Sequence, residues 1–116
     1  MQLTRERAIT LHRRMWRWIG LKTLKEKSLV DKHEWFNKFE LERIKSLCYC
    51  CEYAQQIADN SSLSCKACPV DWGVRTCTAP GRGLYDLWCD AVKDRDWQEA
   101  GKLALQIAEL PEREEI

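Results

Sequence analysis

No apolar run in this sequence approaches the roughly eighteen residues a membrane-spanning helix needs. Nor does an apolar segment follow Met1, whose neighbours Gln2, Thr4, Arg5, Glu6 and Arg7 are polar, so neither a membrane span nor a secretory signal is expected. The expected compartment is the cytoplasm. Catalytic signatures are missing as well: there is no HExxH, GxSxG or GxGxxG. The zinc-deaminase pairing of HxE with PCxxC also fails, because His33 is followed by Glu34 and Trp35, and Cys65 is preceded by Ser64. The glycine-containing stretch from Ala79 to Gly83, APGRG, is a turn by composition and lacks the lysine and hydroxyl of a phosphate loop. These absences argue against an enzyme and against a small-molecule substrate.

What the chain does have is cysteine, seven in 116 residues. Without a signal for export the thiols are expected to be reduced, and an odd count favours metal binding over a disulfide framework. Cys48 with Cys51 and Cys65 with Cys68 form two CxxC pairs separated by thirteen residues, C-x2-C-x13-C-x2-C. Each CxxC turn presents two sulfurs on one side of a tight loop, and two such turns face to face supply the closed tetrahedron of a structural zinc site. Neither pair has the strand-then-helix context of a dithiol oxidoreductase. A helix opening at Cys51 would point its positive end at the thiolates and favour the metal-bound form. Cys77, in the polar loop VRTCTAPGRG, is an alternative ligand, whereas Cys50 has the less favoured CxC spacing and Cys89 sits among helical apolar residues as a small hydrophobe.

The remaining chain reads as helices. Thr4 is an N-cap with Glu6 in the first turn, and Ala8, Leu11, His12, Met15, Trp18 and Ile19 recur at helical spacing, widened by Ile9 and Trp16, until Gly20 ends the pattern. His12, in that stripe, reads as a hydrogen-bonded core histidine before it reads as a zinc ligand; His33, between Lys32 and Glu34, reads as exposed. Residues 22–45 form one bent helix or two, with Asp31 and Glu34 resembling a capping box and Trp35, Phe36 and Phe39 clustering as core anchors rather than base-stacking platforms. Tyr53, Ala54, Ile57 and Ala58 mark a short helix after Cys51. Leu84, Tyr85, Leu87, Trp88 and Val92 mark a further one. Asp96 caps a last helix, with Glu99 at its third position and Ala100, Leu103, Ala104, Ile107 and Ala108 on one face, stopped by Pro111 ahead of an acidic tail expected to fray. The fold expected is therefore all-α: one small domain over residues 1–116, with about four to five helices stapled by a four-cysteine zinc knuckle. Residues 1–47 form its basic helical part, 48–77 the knuckle segment and 84–110 a C-terminal helical pair.

The net charge of +1 conceals an asymmetry. Residues 1–47 carry twelve Lys plus Arg against six Asp plus Glu, and residues 48–116 carry seven against twelve. Solvated helix faces explain such a split; so does a surface for an acidic partner or for phosphates. The phosphate reading assigns Arg13, Arg14, Arg17, Lys22 and Lys25 as the contacting residues.

TRERAITLHRRMWRWI, LCYCCEYA, CKACPVDWG, GLYDLW and RDWQEAGKLALQIAELP together resemble a family of small Cys-rich proteins encoded by phages and prophages of Firmicutes, over nearly the whole chain. The resemblance implies a mobile-element origin, a bacterial host and a metal site more than an activity, and in that family the cysteines matching Cys48, Cys51, Cys65, Cys68 and Cys77 recur together. Two functions remain in view. One is a phage accessory protein that binds a host or defence-system protein as an anti-defence inhibitor. The other is a zinc-containing nucleic-acid-binding regulator.

Overall fold

The computed structural model describes residues 4–30, 32–38, 49–50, 53–54, 68–71 and 83–112, and over these the chain is all-α. The helices are α1 (Arg5–Glu26), α2 (Lys32–Lys38), α3 (Leu84–Lys93) and α4 (Trp97–Ala108). At a rise of 1.5 Å per residue, α1 is about 33 Å long, and the molecule's longest extent is 39 Å. The other helices gather along it.

α1 begins where its sequence says it should. The Thr4 hydroxyl accepts the Arg7 N–H at 3.1 Å, and Glu6 lies in the first turn, where the helix dipole favours a carboxylate. It does not stop at Gly20, contrary to the expectation from sequence. The helix runs on to Glu26 and closes at Lys27, whose left-handed backbone (φ 51°, ψ 48°) sends its N–H back to the Thr23 carbonyl at 2.8 Å. Gly20 serves the crossing of α1 and α4 instead. A Cβ built on Gly20 would lie 2.8 Å from Leu105 Cδ2 and 3.0 Å from the Gly101 carbonyl; one built on Gly101 would lie 2.5 Å from Leu24 Cγ and 3.2 Å from the Gly20 carbonyl. The two glycines face each other, and hydrogen in place of a methyl lets the backbones close up.

α4 is the best-signalled element. The Asp96 carboxylate accepts the Glu99 N–H at 3.3 Å, and Ala100, Gly101, Leu103, Ala104, Ile107 and Ala108 form its buried face, small residues where α1 passes nearest. α3 lies beside α4 and buries Trp88 and Ala91. Its Trp88 and Tyr85 close on Trp16 of α1 edge to face, with centroids 5.0 and 6.1 Å from the Trp16 ring. Edge-to-face pairs of this kind add about 0.5–1.5 kcal/mol each to the gain from burying their area.

The second part of the core lies where α2 meets α1. Trp35 and Phe36 are buried there, as the reading of these aromatics as core anchors required. The Trp35 indole N–H donates to the Tyr49 hydroxyl at 2.9 Å. Burial pushes the Tyr49 phenol's pKa upward, and the bond from Trp35 pulls it part of the way back. α2 begins immediately after Asp31, the expected cap, although Asp31 and Phe39 themselves lie outside the described residues. Glu34, the other residue of the expected capping box, pairs with Lys22 at 3.4 Å. Tyr49, Cys50, Tyr53 and Ala54 have helical backbone, so helical structure is already present before Cys51; Ile57 and Ala58 lie outside the described residues.

One contact had no signal in the sequence. Val70 pairs with Glu112 in an isolated antiparallel bridge, and the Asp71 N–H donates to the Pro111 carbonyl at 2.8 Å. Arg13 Nη2 donates to the Leu110 carbonyl at 3.4 Å and Arg5 reaches Glu112 at 4.0 Å. The acidic tail is therefore held at its first glutamate, where fraying was expected; residues 113–116 lie outside the described residues.

Gly20→Ala should destabilise the fold by about 1 kcal/mol net, because overpacking costs of about 1–3 kcal/mol exceed the roughly 1 kcal/mol that alanine gains in helix propensity. Gly101→Ala should cost at least as much, since its Cβ would lie 2.5 Å from Leu24 Cγ where that of Gly20 lies 2.8 Å from Leu105, and both leucines are partly exposed. Urea or thermal unfolding of both variants checks the order.

Candidate functional site

Of the four cysteines expected to hold zinc, Cys68 alone falls within the described residues; Cys48, Cys51 and Cys65, and the alternative Cys77, lie outside them. Cys68 is buried, followed by the buried Pro69 and by Val70, which is pinned to Glu112. A sulfur on backbone fixed this way, away from solvent, suits a closed structural ligand better than a reactive thiol. Cys50 is fully buried in the aromatic and aliphatic core beside Tyr49. Cys89 is half-buried on α3, and burial pushes its thiol pKa up, with a hydrogen bond from Tyr85 and the charge of Lys32 pulling it part of the way back.

The five basic residues assigned to phosphates are divided by the fold. Arg13 is bonded to the Leu110 carbonyl, and Lys22 lies 3.4 Å from Glu34, 3.8 Å from Glu26 and 4.9 Å from the centre of the Trp18 ring. Both are engaged inside the structure. Arg14, Arg17 and Lys25 are exposed and make no ion pair among the described residues. Arg7, which the sequence reading passed over, joins them. At about 100° per residue, Arg7, Thr10, Arg14, Arg17, Leu21 and Lys25 fall within roughly 80° of arc, on the side of α1 opposite its buried residues. The signal was available in the spacing of seven from Arg7 to Arg14 to Leu21, and of seven from Thr10 to Arg17 to Leu24.

Two other features adjoin α1. The Lys32 ammonium sits over the rings of Trp16 and Tyr85, 5.0 and 4.8 Å from their centres, and among the described residues its partners are these two π-faces. At the far end of α1, Leu24 and Lys27 face Trp97 and Gln98 of α4 across an open hollow of about 430 Å³. Leu21 and Leu29, the large apolar side chains left most exposed among the described residues, are 56% and 53% accessible near the same end.

His12 is fully buried, and its ring Nε2 lies 3.0 Å from the Ile107 carbonyl. A carbonyl only accepts, so the proton of the neutral ring is on Nε2. This is the hydrogen-bonded core histidine, tying α1 to the last turn of α4. Burial lowers its pKa from 6.5 to about 4, against the opposing pull of the Ile107 bond and with help from the charges of Lys32 and Arg13. The unfolded chain therefore binds a proton that the folded chain refuses between those values. Its contribution is fully present above pH 6.5 and is lost as pH falls through that window, by as much as about 3 kcal/mol for the whole interval. Unfolding free energy measured from about pH 7 down to about pH 4 should fall with that slope, and His12→Gln should flatten it.

No protein-family model matches the chain, and no curated protein or solved structure is significantly similar to it.

Proposed function

We propose that this chain is a non-enzymatic accessory protein of phage or prophage type, acting in the cytoplasm of a bacterial host by binding a host or defence-system protein. In this reading a structural zinc, held by Cys48, Cys51, Cys65 and Cys68 with Cys77 as the alternative ligand, is a clamp, and the working surface lies on the helices. The observation that carries it is the outward face of α1. On a helix whose opposite side is packed into the core, that face keeps three arginines, a lysine and the 56%-accessible Leu21 turned to solvent. An apolar residue within a cationic stripe fits a protein interface, where apolar contacts and arginine combine.

The nucleic-acid reading retains Arg14, Arg17 and Lys25 as exposed cations and gives up Arg13 and Lys22, whose groups are occupied within the fold. It predicts duplex or single-strand binding that weakens steeply with salt. A stoichiometric host protein retained on the immobilised chain at physiological salt, with flat or absent nucleic-acid binding, supports the first reading; the reverse supports the second.

The zinc clamp has its own test. Elemental analysis should find one zinc per chain, and strong chelation should release it with loss of helical signal, because a structural site contributes its binding energy to folding. Cys51→Ser and Cys65→Ser should unfold the domain, whereas Cys89→Ser, half-buried and outside the motif, should lower stability only by a modest packing increment. A folded, metal-free chain would end the zinc assignment.

A further inference from the structure

The cationic stripe and the hollow lie end to end along α1. Arg7, Thr10, Arg14, Arg17, Leu21 and Leu24 recur at alternating intervals of three and four residues, the spacing of a seam along which a second helix lies. From Arg7 to Lys25 the seam is about 27 Å long. Its first part is charged and lacks a carboxylate partner among the described residues; its last part is apolar, passing from the exposed Leu21 to Leu24 at the lip of the hollow. Glu6 flanks the stripe at one end, and Glu26, at the other, is already paired with Lys22.

We infer that this seam is a docking surface for an acidic amphipathic helix of a partner protein. Carboxylates of that helix meet Arg7, Arg14 and Arg17, an apolar anchor about two turns beyond Arg17 enters the hollow between Leu24 and Trp97, and Lys25 stands beside that anchor as a further cation. The inference rests on the reading of the chain as a protein-binding module and names the chemistry of the partner.

Three observations favour a protein helix over a nucleic acid. Phosphates are met by cations and hydrogen-bond donors, and they leave Leu21 and a Leu- and Trp-lined hollow without a role. The hollow lies within the range of about 300–1,000 Å³ typical of binding pockets and is open to solvent, so a side chain enters it from outside; Lys27 at its lip extends the positive field over it. The backbone beneath the surface is also fixed, because α1 is held from behind by the Gly20–Gly101 crossing and by His12, so docking a helix orders side chains and no backbone of this face.

The test uses the intact chain and a synthetic fluorescent peptide of about three helical heptads, with glutamate at the seam positions of two heptads and leucine at those of the third. Its control has lysine for glutamate and serine for leucine. The acidic peptide should bind and the control should not. Arg14→Glu with Arg17→Glu, both on the solvent face, should weaken binding about tenfold or more. Gln98→Trp, which fills the hollow from its rim, should weaken it independently, with helical signal unchanged in both variants. The inference is overturned if the peptide fails to bind, if both variants bind it as the parent does, or if duplex DNA or single-stranded RNA binds in its place with steep, Arg14- and Arg17-dependent salt sensitivity. Failure here is separable from failure of the broader reading. A host protein that the Arg14→Glu/Arg17→Glu variant still captures refutes this surface and leaves the reading standing. A parent chain that captures nothing, while binding the peptide through this seam, removes the reading and leaves the surface.

Discussion

The close crossing of α1 and α4 at Gly20 and Gly101 sets the spacing of everything else. Because neither helix carries a side chain at the crossing, their backbones approach until each glycine's carbonyl lies near the space the other's Cβ would fill. That approach places Ile107 within reach of His12, lets Leu24 and Leu105 fill the flanks, and brings the end of α4 beside Arg13. The buried histidine and the small residues of α4 are parts of one solution. Alanine at 100, 104 and 108 keeps the interface thin, and the imidazole adds a donor from α1 to the Ile107 carbonyl, which also accepts the Leu110 N–H at 3.3 Å at the helix end.

Around this pair the aromatic residues set the thickness of the molecule. Trp16 packs at right angles to Trp88 and Tyr85, and Trp35, Phe36 and Tyr49 form a second group held by an indole-to-hydroxyl bond. Between them Lys32 lays its charge across two rings. The π-faces supply part of what water would to this ammonium, and its positive charge in turn helps keep His12 neutral. The core polarity and the core packing are thus coupled through one lysine.

Where structure depends on neighbours in the chain, the sequence was a good guide. The Thr4 and Asp96 caps, the apolar face of α4, the burial of Trp35 and Phe36 and the all-α class are all local consequences of spacing and side-chain chemistry. It misled where one residue type serves two purposes. A glycine after an amphipathic stretch reads as a helix end, and only Gly101, far along the chain, reveals Gly20 as a crossing point; meanwhile the real end is a lysine in a left-handed conformation that glycine adopts more readily. The basic residues show the same limit. Arg13 and Arg14 are alike in sequence, yet one meets the Leu110 carbonyl and the other meets solvent, and that difference is set by a segment nearly the whole chain away. For the zinc ligands, the motif carries the argument and Cys68 alone has a described setting.

The distance along the chain between the partners of the central contact has a kinetic meaning. His12 and Ile107 are 95 residues apart, and Arg13 and Leu110 are 97 apart. Closing a flexible loop of that length carries an entropic cost of about 4 kcal/mol before any contact returns it. The α3–α4 hairpin, with its short turn through Arg95, has no such loop to close, so contact order favours its forming before α1 docks. A cross-link anywhere in the middle of the sequence shortens the loop to be closed. The zinc clamp proposed for Cys48 to Cys68 would therefore act on the rate at which the first helix finds the last as well as on the stability of what they form.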